Sequence, residues 1–463
     1  MSTGCPRLDQ DLAVLHALRE FQPADAAHLE AGLLQATQTL ADADLDRYDA
    51  NAIRTAGVEA LDDMFDLRVG LKSRLPEWKA AGLLTDRNIA ALRGVFRDGR
   101  YAADMIGELI HDVGIKKLSG KPAKPAVPGF WGGKLNTLVN PEYGEDGKIS
   151  LRSGDVLLVR GMAANSAAIA RIGDVDSQFS HVGLIHIDKD SGPVSVVEAL
   201  IAKGATVTPL NAALESGIAR AVVLRPRDRQ LAADAASLAK ALVDRSLSGP
   251  LPHIPYDFTM RLGRYEQLFC SKLIRYAYAS ATDGAVQLPA FPTRLGMRNR
   301  SFFDQIGVAT DITFAPADVE LDPFFDIVAE WRDFRNTALI RNQDIVMDMI
   351  FYWMEEEGLV FRETAGMRIV SGLGKLSGYL PWVLKSLLSP LVPPVPSHMP
   401  RSGIAAVAML HTTCQELVRV LTREERRIRE RTGRPMHPRE AYAALASHKA
   451  NTKARIGYLA RAA

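Results

Sequence analysis

Five short β-rich runs crowd the stretch between residues 156 and 224: Val156–Val159, Val182–Ile185, Val194–Val197, Ala205–Val207 and Ala221–Leu224. Gly, Pro, Asp and Ser punctuate them, as expected of strands joined by turns. The gaps from Ile185 to Val194 and from Val197 to Ala205 leave no room for the crossover helices that parallel strands require. The spacing therefore predicts an antiparallel meander, a small sheet or half-barrel. Two helical stretches follow, around 230–245 and 270–281, the second with Leu273, Ile274 and Ala277 on one face.

The flanks have a different texture. Residues 8–112 carry apolar side chains at helical spacing, among them Leu12, Leu15, Leu18, Leu29, Leu33, Leu40, Leu61, Phe65 and Val69. Pro23 followed by Asp25 marks a helix start. Residues 116–134 are rich in Pro, Gly and Lys, so 116–150 reads as a linker or lid loop. Beyond Pro316 the chain reads as helical again, including Phe324 to Met354 with Phe325, Val328, Trp331 and Ile345. The fold class expected is α+β: an antiparallel sheet packed on the helix that begins at Cys270, between large helical N- and C-terminal regions. The organisation expected is 1–115 helical, 116–150 linker, 151–315 core and 316–463 helical.

Formal net charge is only +2 over 463 residues, so no global field argues for nucleic acid. The cysteines, Cys5, Cys270 and Cys414, are few and odd in number, which fits a reducing compartment and not a disulfide framework. No charged segment followed by an apolar core opens the chain, and no window reaches the ~18 apolar residues of a membrane span. The default expectation is cytoplasmic; delivery as an effector by a specialised secretion machine leaves no such mark. No His or Cys pair has zinc-site spacing and no Gly-rich phosphate loop is present, so neither metal nor cofactor is expected.

The chemistry-bearing residues are a strand histidine in Ser180-His181-Val182-Gly183, a carboxylate in Val196-Val197-Glu198, and a cysteine in Phe269-Cys270-Ser271. A helix N-terminus favours a thiolate through its free N–H groups and dipole. On a strand His181, Gly183 and Ile185 share one face, and a turn at Lys189 to Pro193 folds Glu198 back beside His181. His186 falls on the opposite face. Singly, a buried cysteine is packing, a strand histidine is structural, and a carboxylate ending a strand is a solvated edge. The case rests on the set.

That set extends through Ser153-Gly154-Asp155-Val156, Gly204-Ala205-Thr206-Val207, Pro255-Tyr256-Asp257-Phe258 and Phe269-Cys270-Ser271-Lys272-Leu273-Ile274. In this order it resembles the circularly permuted branch of the NlpC-type papain-like superfamily, the YiiX-like cysteine hydrolases. Ordinary members place cysteine before histidine; here the histidine precedes by 89 positions. The resemblance implies Cys270 as nucleophile, His181 as base and Glu198 as third member. Tyr256 takes the place of a family tyrosine near the site, implying a substrate or oxyanion contact, with simple packing before Asp257 as the alternative.

A Cys-His pair performs acyl chemistry through a thioester. The first expectation is a hydrolase of amide or ester bonds, acting on a peptide, amide or lipid ester. The second is an acyltransferase or lipid-directed thiol enzyme, because the permuted branch is similar to lecithin-retinol acyltransferases. For this reading the apolar, Lys-bearing segment 366–398 offers a membrane-surface contact, with a buried helical hairpin as its alternative. The third is a non-catalytic scaffold with a vestigial core. No protein partner is legible.

Overall fold

In the computed structural model the described residues are 5–41, 49–111, 130, 135–145, 148–173, 176–188, 192–215, 217–249, 252–295, 300–368, 371, 399–452 and 455–461. Most of the expected linker and nearly all of 366–398 lie outside them. The centre is a seven-stranded sheet. Its strands are β1 (Thr137–Val139), β2 (Val156–Gly161), β3 (His181–Ile187), β4 (Val194–Leu200), β5 (Gly204–Pro209), β6 (Ile218–Pro226) and β7 (Phe325–Arg332). Spatial order is β1-β7-β6-β2-β3-β4-β5, with every neighbouring pair antiparallel. The meander β3-β4-β5 follows the short gaps read from the sequence. Two strands at one end of the sheet, the edge strand β1 and its neighbour β7, come from outside 151–315.

Alternation along the strands separates two apolar layers. Val156, Leu158, Val182, Leu184, Val197 and Val222 pack with α6 (Arg229–Leu247) and α7 (Cys270–Ala281) on one face. Leu157, Val159, Ile185, Val196, Val223, Val328 and Trp331 form the other. Tyr278 of α7 donates to the Gly154 carbonyl at 2.8 Å, tying the helix to the loop before β2.

The N-terminal region is α1 (Pro6–Arg19), α2 (Ala26–Ala41), α3 (Ala50–Ala80) and α4 (Asp86–Ile110), and a short α5 (Ala164–Ala170) follows β2. Asp25 accepts from the His28 amide at 2.8 Å, which is the helix start read at Pro23–Asp25. The C-terminal region is α8 (Thr337–Glu355), α9 (Arg401–Thr432) and α10 (Pro438–Asn451). By length and composition α9 could cross a membrane. Its apolar half is instead core: Ile404, Ala406, Leu410, Cys414 and Leu417 are buried, most of them against α8.

One helical expectation is corrected. Phe324–Met354 is not continuous helix, because residues 325–332 form β7 and helix begins only at Thr337. Phe325, Val328 and Trp331 satisfy a 3.6-residue period. Phe325-Asp326-Ile327-Val328-Ala329-Glu330-Trp331-Arg332 equally satisfies a period of two, and β-branched and aromatic content favours the strand. The polar members, Glu330 and Arg332, are buried against the N-terminal helices. Glu330 accepts from Arg68 at 2.8 Å, Arg100 at 3.3 Å and Arg332 at 2.9 Å.

Candidate active site

His181 opens β3 and Cys270 opens α7, so the site forms where a strand start meets a helix start. Phe269 precedes the helix in an extended conformation and no side chain caps it. The first-turn N–H groups are thereby left for other acceptors. The thiol is buried, with the His181 imidazole and the Val182 and Ser271 backbone amides as its polar neighbours. Burial alone would raise its pKa; the imidazolium and these donors hold it below the usual thiol value.

His181 Nε2 lies 2.7 Å from Glu198 Oε2, which leaves Nδ1 for the thiol. Burial opposes the imidazolium, yet hydrogen bonds to Cys270 and Glu198 push its pKa up to about 10. The imidazole keeps 23% of its side-chain surface exposed, so a reactant can reach the ring edge. Glu198 is buried, which favours its neutral form, but His181 and Thr208 hold it below the usual carboxylate range. Thr208 Oγ1 donates to Glu198 Oε1 at 2.5 Å. The register that makes this chain pairs Leu184 with Val197 and Val196 with Thr208.

Tyr256 is buried beside Cys270, and burial together with the neighbouring thiolate charge holds its phenol strongly protonated. Its loop is fastened to the head of α7. The Leu268 amide donates to the Pro255 carbonyl at 3.1 Å and the Asp257 amide to the Leu268 carbonyl at 3.2 Å. Lys272 Nζ donates to Asp257 Oδ2 at 2.7 Å, both groups buried. The structure thus brings Cys270, His181, Glu198 and Tyr256 together.

His186, His253 and the described residues of the basic run 294–300 lie elsewhere. His186 lies 3.6 Å from Asp188, and burial lowers its pKa. His253 Nε2 meets the Lys203 carbonyl at 2.8 Å in an exposed loop. Of the run Arg294–Arg300, Arg294 is exposed beside Asp86 and Arg300 pairs with Asp311, while 296–299 lie outside the described residues. A Cβ on Gly183 would meet Val196 Cγ1 at 2.3 Å, so that glycine lets β4 approach. Thr208 and the Lys272–Asp257 pair were missed. The signals were present: Thr206 and Thr208 alternate on one face, and Lys272 stands among apolar positions of its helix. Among the described residues, no group of three or more His, Cys, Asp or Glu is placed to hold a metal ion.

Residues 150–293, which contain all four site residues, match the family described as permuted papain-like amidase enzyme, YaeF/YiiX, C92 family. That segment is similar to the permuted papain-like amidases. The match supports a cysteine hydrolase. The crystal structure of metalloprotein yiiX from Escherichia coli O157:H7 is similar at a TM-score of 0.32 and 20% identity, covering 39% of this chain and 98% of that one. No curated protein matches. The helical regions on either side of the permuted core lie outside the family match.

Proposed function

We propose that this protein hydrolyses amide or ester bonds through a thioester on Cys270, with His181 as general base and acid. The observation that carries the reading is the series Cys270–His181–Glu198–Thr208 at an uncapped helix start, in which Glu198 is hydrogen-bonded to His181 and Thr208 and the imidazole neighbours the thiol. His181 takes the thiol proton and the thiolate attacks the substrate carbonyl carbon. The tetrahedral oxyanion draws on the first-turn N–H groups of α7 and on the Tyr256 hydroxyl. Collapse breaks the bond to the leaving group, which takes the proton from the imidazolium. In the second half, water gives its proton to His181, attacks the thioester and releases the acid and the thiol. Glu198 holds the ring so that Nδ1 faces sulfur, and stabilises the cation formed in each half.

Substrate is a peptide, amide or lipid ester. The test is intact-mass spectrometry after incubation with muropeptide, phospholipid and acyl-CoA panels. An acyl adduct that Cys270→Ala abolishes, discharged by water, is expected. Discharge onto an added amine would move the reading to acyl transfer. An adduct retained in Cys270→Ala, or none with any panel, would remove Cys270 as nucleophile.

A further inference from the structure

A cavity of about 740 Å³ lies between the N-terminal and C-terminal helices, away from the thiol. Its volume is in the range of small-molecule sites, roughly 300–1,000 Å³. The walls are largely aliphatic, with Leu12 from α1, Leu40 from α2, Met105 from α4 and Met349 from α8. One end is polar, and most of its groups are matched. Tyr101 Oη donates to Asp176 Oδ2 at 2.5 Å, Tyr442 Oη to Asp348 Oδ2 at 2.9 Å, and Arg171 Nε to Asp348 Oδ1 at 2.5 Å.

Two carboxylates are exceptions: Glu355, whose Oε1 has no hydrogen-bond partner, and the more deeply buried Asp344. Asp344 lines the cavity, is 1% exposed, and commits Oδ1 to Arg160, while Oδ2 has no hydrogen-bond partner. A buried carboxylate oxygen without a donor is unfavourable, and a ligand that brings one is correspondingly favoured. The charge of the lining agrees: seven carboxyl groups face three guanidinium groups. We propose that this cavity binds a cationic amphiphile, an aliphatic chain ending in a protonated amine that donates to Asp344 Oδ2. A fatty acid anion would bring a second carboxylate to a carboxylate-rich end. Burial, with the Asp176 charge beside it, pushes Asp344 up to about 7 despite Arg160, which marks the missing positive charge. The proposal is independent of the chemistry assigned to Cys270.

The test is calorimetric titration of the full chain with dodecylamine below its micellar concentration, beside dodecanoate and dodecanol. One dodecylamine per chain is expected, bound at least tenfold more tightly than dodecanoate or dodecanol. Asp344→Asn should weaken the amine at least tenfold and narrow its lead over dodecanol. Ala102→Phe, which fills the cavity from α4, should abolish binding with circular dichroism unchanged. Cys270→Ala should bind like the unaltered protein. Absence of amine binding, dodecanoate binding as tightly, or undiminished binding in Ala102→Phe would each overturn the proposal. If Asp344→Asn does not fold, the comparison among the three ligands and Ala102→Phe still decides.

Discussion

Between α4 and the sheet, Arg68, Arg100, Arg220 and Arg332 are buried with Glu330, Glu320 and Asp104, whereas at the start of β3 a single carboxylate, Glu198, faces one imidazole and one thiol. Both regions place charge in low dielectric, but they use different residues. Arginine keeps its proton at every accessible pH, so the seam is a fixed charge pattern that fastens helices to strands β6 and β7. Cysteine and histidine exchange a proton within reach of neutral pH, so the site is a movable charge. The scaffold holds charge still, and the chemistry needs it to move.

The largest effect separates the two. Cys270→Ala should lower turnover by more than about 10³-fold, as loss of a nucleophile does in comparable triads, while thermal unfolding shifts little. Glu330→Gln should do the reverse. It leaves three buried guanidiniums without their shared anion, and breaking such a pair costs about 3–5 kcal/mol. Denaturant unfolding should report that loss, while the folded fraction still alkylates at Cys270 at the unaltered rate. Cys414 is the internal control: burial pushes its thiol up to about 12, so iodoacetamide near neutral pH should label Cys270 far faster. Equal labelling, or loss of Cys270 labelling in folded Glu330→Gln, would erase the contrast.

A smaller effect concerns pH. With the thiol held below its usual value and His181 raised to about 10, thiolate and imidazolium coexist between those two limits. Amide turnover should fall on the acid side as the thiolate is protonated, and again as pH rises through about 10 and the imidazolium loses the proton the leaving group needs. Alkylation needs only the thiolate, so it should lack the alkaline fall. The same shift stabilises the fold. The contribution of His181 is complete below its ordinary pKa of about 6.5 and is lost as pH rises through its folded value. Glu198→Gln should move the alkaline limb of turnover down by about one pH unit or more. An unmoved limb would mean that Glu198 does not hold the ring.

The sheet and the clustering of the candidate site residues were readable because each depends on local pattern. The short gaps force antiparallel pairing, and a cysteine at a helix start with a histidine on a strand are visible one at a time. Phe325–Arg332 was misread because its apolar residues fit two periods. The choice between them depends on β6, whose Val222 and Val223 pair with Glu330 and Ala329. The arginine seam was invisible for a related reason. Arg68, Arg100, Arg220 and Arg332 are scattered over two helices and two strands, and as isolated charges each reads as surface. Thr208 was within reach, since its alternation with Thr206 opposite Glu198 follows from the same strand logic that found Glu198.

The smallest effect lies at that threonine and tests how the site carboxylate is held. Thr208→Val keeps the shape and removes the donor to Glu198 Oε1, while His181 still holds Oε2. A hydrogen bond to a charged group is worth about 1.5–3 kcal/mol, of which only the part spent on orienting Glu198 reaches the barrier. With about 1 kcal/mol transmitted, turnover falls roughly five-fold. The pH profile separates this from Glu198→Gln. Losing the threonine donor leaves Glu198 charged and a stronger base, so the imidazolium is held at least as well and the alkaline limb should stay or move slightly up. Thr208→Ser, which restores the hydroxyl, should recover most of the rate. A downward limb in Thr208→Val, or no recovery in Thr208→Ser, would show that the threonine acts through packing and not through the carboxylate.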